Sequence, residues 1–170
     1  METTSATLTA APYASFGRRL AAWLIDLIVL WIVQAIVITP ILAAVGFGIA
    51  SDVQAMEGMN DDQAAEMVGG MIGTFMATMG TMMLVTSVLN LLYFALMESS
   101  KTQGSIGKMA LGIKVTDMNG NRISIGTGFL RAFGKLVSGA ILFIGYLMAA
   151  FTEKKQGLHD MIASTLVQKK

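Results

Sequence analysis

The sequence predicts an all-α integral membrane protein. The expected form is a helical bundle with two transmembrane helices, a third apolar bent or re-entrant helical segment, and a small cytoplasmic β-hairpin. Three observations carry this. The 170 residues are 54% hydrophobic and 14% charged, against about 25% charged in an ordinary soluble domain. The stretch 20–50 holds one charged side chain, Asp26, and the stretch 67–97 holds none, whereas about 20 apolar residues suffice to cross a bilayer. All twelve Lys and Arg fall before Leu20 or after Met97, while 51–66 carries Asp52, Glu57, Asp61, Asp62 and Glu66 without a cation. Cations gather on the cytoplasmic side of membrane proteins. Both termini are therefore expected in the cytoplasm, with 51–66 outside.

Taken in order, residues 1–14 are small and polar and read as a disordered tail. They do not read as a signal peptide: Arg18 and Arg19 precede an apolar run that is too long and lacks a small-residue cleavage site. The first span runs from about 18 to 48, with Thr39-Pro40 as a point of bending near its outer end. The second lies at about 67–97. Its Gly69, Gly73 and Ala77, four residues apart, give a small-residue face that permits close helix contact.

From residue 111 the period changes. Leu111, Ile113 and Val115 alternate with Gly112, Lys114 and Thr116, and Asn119-Gly120 follows. Asn-Gly between alternating segments is a hairpin signal, so strands are expected at about 111–118 and 121–125. Residues 127–151 are apolar after Arg131 and Lys135. One straight span there would carry Lys154, Lys155, Lys169 and Lys170 outside, against the charge rule. A bent pair of helices, broken near Gly134, Ser138 and Gly139, is preferred, with a single third span as the alternative. Ser164–Gln168 is β-like and could pair with the hairpin.

Asp26 is the residue with most to explain. A carboxylate at that depth costs several kcal/mol unless a partner or a hydrated cavity receives it. Arg19 lies two helical turns earlier on the same face, about 10 Å along the axis. Asp26 is therefore expected to be buried against a cation from Arg19, Arg18, Arg131 or Lys135. Two uses remain open: an ion pair that fixes the bundle, or a protonatable relay or cation ligand. Gln34, two turns beyond Asp26, and the stripe Thr86, Asn90 and Tyr93 form a candidate polar seam between the spans. Its plainer reading is interhelical hydrogen bonding.

The segment Phe16-Gly17-Arg18-Arg19-Leu20-Ala21-Ala22-Trp23-Leu24-Ile25-Asp26 resembles the opening of RDD-domain membrane proteins. So do Gly107-Lys108-Met109-Ala110-Leu111-Gly112-Ile113-Lys114-Val115-Thr116-Asp117 and Gln156-Gly157-Leu158-His159-Asp160. Three motifs in the right order cover about 14–168, and 15–168 is taken as one RDD-like membrane domain. The resemblance carries the family's arginine and two aspartates onto Arg19 (Arg18 competing), Asp26 and Asp160. It implies a mostly bacterial family for which transport has been suggested, including cation/proton exchange in some members, and hence the bacterial cytoplasmic membrane.

Other chemistry is sparse. Without cysteine there is no disulfide or thiolate site. The lone His159 supports neither a metal site nor a triad, and Asp160 reads as a cap of the following short helix or a partner of basic residues. Fourteen Met include a crowd from Met56 to Met83, but thioethers alone, without His or Cys, make a poor copper case against their role as apolar filler. Gly104–Lys108 lacks the phosphate-loop spacing and Asp117–Gly120 the remaining calcium ligands. No catalytic residue, metal or cofactor is assigned, and no enzyme activity or nucleic-acid partner is expected. Lys101, Lys108, Arg122, Arg131 and Lys135 are expected to meet anionic lipid headgroups. Two functions remain: a small transporter or transport component using Asp26, as a homo-oligomer or with a membrane partner, or a non-transporting scaffold, lipid-binding or assembly factor whose charges are structural.

Overall fold

The computed structural model describes residues 13–140 and 144–170. Two long helices dominate it: α1 (Phe16–Ala55) and α2 (Asp61–Ser99). There follow α3 (Ile106–Ala110), β1 (Ile113–Asp117), α4 (Ile125–Ala140), α5 (Ile144–Phe151), α6 (Leu158–Ile162) and β2 (Thr165–Lys169). Both long helices are apolar enough to cross a membrane, and at about 1.5 Å per residue each exceeds the roughly 30 Å hydrocarbon core.

The chain divides into two compact units, 28–90 and a second made of 13–27 with 91–170. In the first, α1 and α2 are joined by a short turn at 56–60, so most of the expected 51–66 loop is helical. The cause is local. Asn60 caps α2 by accepting from the Gln63 N–H at 2.9 Å, and Gln63 Oε1 accepts from the Asn60 N–H at 3.3 Å, a reciprocal cap that starts the helix early. Nothing stops α1 before Gly58, which takes a φ of +90°. Helix α1 runs on through Pro40. A cavity of about 390 Å³ lies near the turn, lined by Ile49, Val53, Met56, Val68, Met71, Ile72 and Phe75. Gly69 and Gly73 face open space.

The second unit holds the sheet and the short helices. Strands β1 and β2 pair antiparallel with Val115 opposite Val167. Their inner face closes a small core of Ala14, Ala22, Ile113, Val115, Ile123 and Val167. This corrects the expected hairpin: β1 pairs with the tail, and 121–124 is not a strand. Ser124 explains the difference. Its Oγ accepts from the Thr127 N–H at 3.1 Å, and a serine cap of that kind starts a helix, here α4. The other edge of β1 is met by Gln103, whose carbonyl accepts from the Val115 N–H at 2.6 Å. Asn119-Gly120 does turn the chain, but as a three-residue loop. The Gly120 N–H donates to the Asp117 carbonyl at 3.2 Å, and of the two residues only Gly120 has positive φ, at +84°; a type I′ turn needs two such residues.

The tail expected at 1–14 lies outside the described residues up to position 12. Its end is held: Tyr13 bridges Gln168 and the Ala14 N–H donates to the Val167 carbonyl at 2.9 Å. Of residues 127–151, those up to 140 lie in α4 and 144–151 in α5, and the two helices pack against each other. Both pack with α6. Helix α4 is turned inside out for a helix in water. Arg131, Ala132 and Ser138 are buried, while Ile125, Leu130, Phe133, Leu136 and Val137 are exposed.

Candidate functional site

The polar heart of the second unit begins with Asp26 on α1, 1% exposed. Helix α3 is brought to it by Gly107, where a Cβ would strike the Ala22 carbonyl and stand 3.0 Å from Asp26 Cγ. Only glycine allows that approach. It places the Gly107 N–H 2.8 Å from Asp26 Oδ1. Tyr93 of α2 donates its hydroxyl to the same oxygen at 2.8 Å, and Ser105 donates to Oδ2 at 2.5 Å. The Tyr93 oxygen in turn accepts from the Ile106 N–H at 3.1 Å. The expected cationic partner is therefore corrected: among the described residues no cation forms an ion pair with Asp26, and three neutral donors hold it. Seven residues along one helix proved too far for Arg19 to reach back.

Arg19 turns instead to Asp160 of α6, with which it forms a buried ion pair, and its Nε donates to the Ala14 carbonyl at 3.3 Å. Arg18 is exposed, so of the two competing arginines Arg19 is the one in the site. Asp160 is also bound by Arg131 of α4, through Nε at 2.9 Å and through Nη2. Its Oδ2 accepts from the Gly157 N–H at 3.1 Å, so it caps its own helix and binds basic residues together. Burial alone would push the Asp160 carboxyl up. Arg131 and Arg19 outweigh it and hold the group well below the usual carboxylate range.

Arg131 then bridges to Glu98 at the end of α2, its Nη1 donating to Oε2 at 2.9 Å. Lys108 and Lys135 both donate to Glu98 Oε1, at 2.7 and 2.6 Å. Lys135 lies over the Phe94 ring, 3.6 Å from its centre. Lys108, Arg131 and Lys135 are thus drawn inward, not out to headgroups as expected from sequence, because buried carboxylates bind them. Arg122 is likewise occupied, donating to the Ser99 carbonyl at 2.6 Å. His159 packs on Tyr146, ring centres 5.0 Å apart, and burial pushes its imidazole down to about 3.

The structure thus brings Arg19, Asp26, Asp160 and Tyr93 into one unit and leaves the remaining seam residues apart. Thr86 donates to the Met82 carbonyl at 2.7 Å and Asn90 to the Thr86 carbonyl at 2.8 Å, both along their own helix. Gln34 is half-buried. The expected seam is therefore not a cross-helix chain among the described residues. Glu98, the hub for three cations, was missed from sequence. Its signal was a carboxylate directly after a charge-free run of helical length.

The match to known proteins covers this whole arrangement. The RDD family matches residues 13–164. The chain belongs to the RDD family. The uncharacterized membrane protein YteJ of Bacillus subtilis (strain 168) is 28% identical over 157 residues, 91% of this chain and 80% of YteJ. The uncharacterized protein YxaI of the same organism is 48% identical over 85 residues, half of this chain. The chain covers 56% of YxaI. No solved structure matches significantly. With two helices apolar enough to span a bilayer, this RDD protein is an integral membrane protein.

Proposed function

We propose that this RDD protein is a small transporter or transport component in which Asp26 is the charged group within the membrane. The observation that carries the reading is the set of groups around Asp26. A carboxylate locked to an arginine has little freedom to exchange partners. Asp26 has no such lock: its donors are two hydroxyls and one backbone N–H. A hydroxyl oxygen can also turn its lone pairs toward a cation. Asp26, Ser105 and Tyr93 therefore make a candidate station for a proton or a small monovalent cation.

The bacterial cytoplasmic membrane is the proposed site, with both termini cytoplasmic and the 56–60 turn outside. YteJ's description as a membrane protein agrees. The apolar outer face of α4 lies against lipid in this reading. The helix has 16 residues, about 24 Å, short of a full crossing, which fits a partly embedded segment. Exposed Arg18, Lys101, Lys154 and Lys170 are placed to meet anionic headgroups. Two spans are few for a solute path, so several copies or a membrane partner complete it.

The scaffold reading has its own support: Arg19, Arg131, Glu98 and Asp160 are joined in one chain of buried ion pairs. Proteoliposome flux of protons and alkali cations, wild type against Asp26→Asn, separates the two. Transport predicts flux that the substitution abolishes in a folded, inserted protein. No flux in wild type, or flux that survives Asp26→Asn, establishes the scaffold.

A further inference from the structure

The buried cluster is not charge-balanced. Among the described residues, Arg19, Lys108, Arg131 and Lys135 bring four positive charges, while Asp26, Glu98 and Asp160 bring three negative ones. Arginine does not give up its proton, so the surplus falls to the lysines. Both place their ammonium on one oxygen, Glu98 Oε1, and the two nitrogens can stand no further apart than those two bonds laid end to end. Lys108 has a further acceptor, Ser105 Oγ at 3.4 Å. Among the described residues Lys135 has no second oxygen beside Glu98; it lies closer to the Phe94 ring face, at 3.6 Å against 5.5 Å for Lys108, a weaker partner for a charge than an oxygen.

We infer that Lys135 is the proton-exchanging member of this cluster, a titrating site distinct from Asp26. Every neighbouring element contributes to its surroundings. Glu98 and Phe94 face it from α2, Lys108 from α3 and Arg131 from its own helix. His159 and Asp160 lie on α6, and Tyr146 of α5 donates to the Lys135 carbonyl at 3.2 Å. Glu98 and the ring favour the charged form. Burial first, then Lys108 and Arg131, outweigh them and push the ammonium down to about 7. On release the N–H bond breaks, the electron pair stays on Nζ, and the proton passes to water at the side chain's edge, which is 11% exposed. The cluster is then neutral.

The site deepens the transport reading, and only its use in transport rests on that reading. A polar path leads from Lys135 Nζ through Glu98 Oε1, Lys108 Nζ and Ser105 Oγ to Asp26 Oδ2, in steps of 2.6, 2.7, 3.4 and 2.5 Å. A carrier that exchanges cation for proton could load the proton at one end and the cation at the other.

The test is ¹⁵N NMR of lysine side chains in the full chain held in lipid nanodiscs, titrated from pH 5 to 10. The Lys135 signal is assigned by its loss in Lys135→Arg. If that variant does not accumulate, it is assigned in wild type by its closer contact with the Phe94 ring, 3.6 Å from the ring centre against 5.5 Å for Lys108. A midpoint near 7, with exposed lysines titrating at about 10.4, supports the site whether or not flux is found. A Lys135 signal that keeps its charged-form shift beyond pH 9 overturns it, even where Asp26→Asn abolishes flux and transport itself stands.

Discussion

Arg19 and Asp160 stand 141 residues apart in the chain and meet in a buried ion pair. That pair ties the start of α1 to α6, and Arg131 extends it to Glu98 at the end of α2. Removing one partner of such a set strands the others in a dry interior. Asp160→Asn leaves Arg19 and Arg131 short of a counter-charge, and a stranded buried charge costs about 3–5 kcal/mol. We expect a large drop in thermal midpoint in detergent. Arg131→Gln should match or exceed it, because Arg131 serves both carboxylates, and Arg19→Gln should cost less. A stability for Asp160→Asn equal to wild type would remove the pair from the account of the fold.

Gly107 carries a second prediction. Its missing Cβ lets α3 approach α1 against the Ala22 carbonyl. In Gly107→Ala backbone must yield to backbone, and overpacking of that kind costs about 1–3 kcal/mol. Gly126 provides the control, since a Cβ there meets nothing nearer than Ser124 Oγ at 3.8 Å. Gly126→Ala should change stability little. Equal effects of the two alanines in thermal unfolding would contradict the close approach.

The membrane class was legible in sequence because charge is absent over stretches longer than a bilayer requires. The burial of Asp26 was legible for the same reason. Its partners were not: Tyr93, Ser105 and Gly107 lie 67, 79 and 81 residues away, and helical spacing speaks only of neighbours on one helix. Glu98 went unremarked because it stands one place past the uncharged run, where it looks like a boundary marker. The hairpin misread has a different origin. Alternation at 121–125 was real, but Ser124 capping α4 outweighed it, and β1 took its partner from the tail, at Val167. The arginine and aspartates carried over by family resemblance do share one unit, although the pairing is Arg19 with Asp160 rather than with Asp26.

Acid should loosen the α4–α6 packing through His159. Its folded value, about 3, lies below the unfolded value of about 6.5, so the unfolded chain binds the extra proton first. The His159 contribution is then full above about pH 6.5 and declines as pH falls toward 3. Asp160, also depressed, adds its own loss as pH falls below the ordinary carboxylate value of about 3.9. The thermal midpoint should fall from pH 7 to pH 4.5, and His159→Gln should flatten that slope. An unchanged slope in the variant would place the acid sensitivity elsewhere.

Orientation can be read with cysteines, since the chain has none. A Cys in place of Asp61, beside the turn that follows α1, should react with an impermeant maleimide in intact cells. A Cys in place of Lys170 should react only after lysis. Labelling of position 170 from outside would reverse the assignment of the C-terminus and with it the partly embedded reading of α4.

The donors around Asp26 give the prediction closest to function. Tyr93→Phe and Ser105→Ala each remove one hydroxyl and leave the chain's shape nearly intact. A hydrogen bond to a charged group contributes about 1.5–3 kcal/mol, so each variant should lose stability of that order. Ser105→Ala should lose more, because Ser105 is fully buried and also accepts from Lys108, whereas Tyr93 is only part-buried. The two functional readings then diverge. If Asp26 only holds the fold, restoring stability, for example with a stabilising lipid, restores everything. If Asp26 is a station for a proton or cation, the hydroxyls also set its affinity, and flux in proteoliposomes should change its ion or pH dependence at equal folded fraction. Measuring flux against pH for both variants at matched folded protein decides between them. Profiles that superimpose on wild type would leave Asp26 a structural residue.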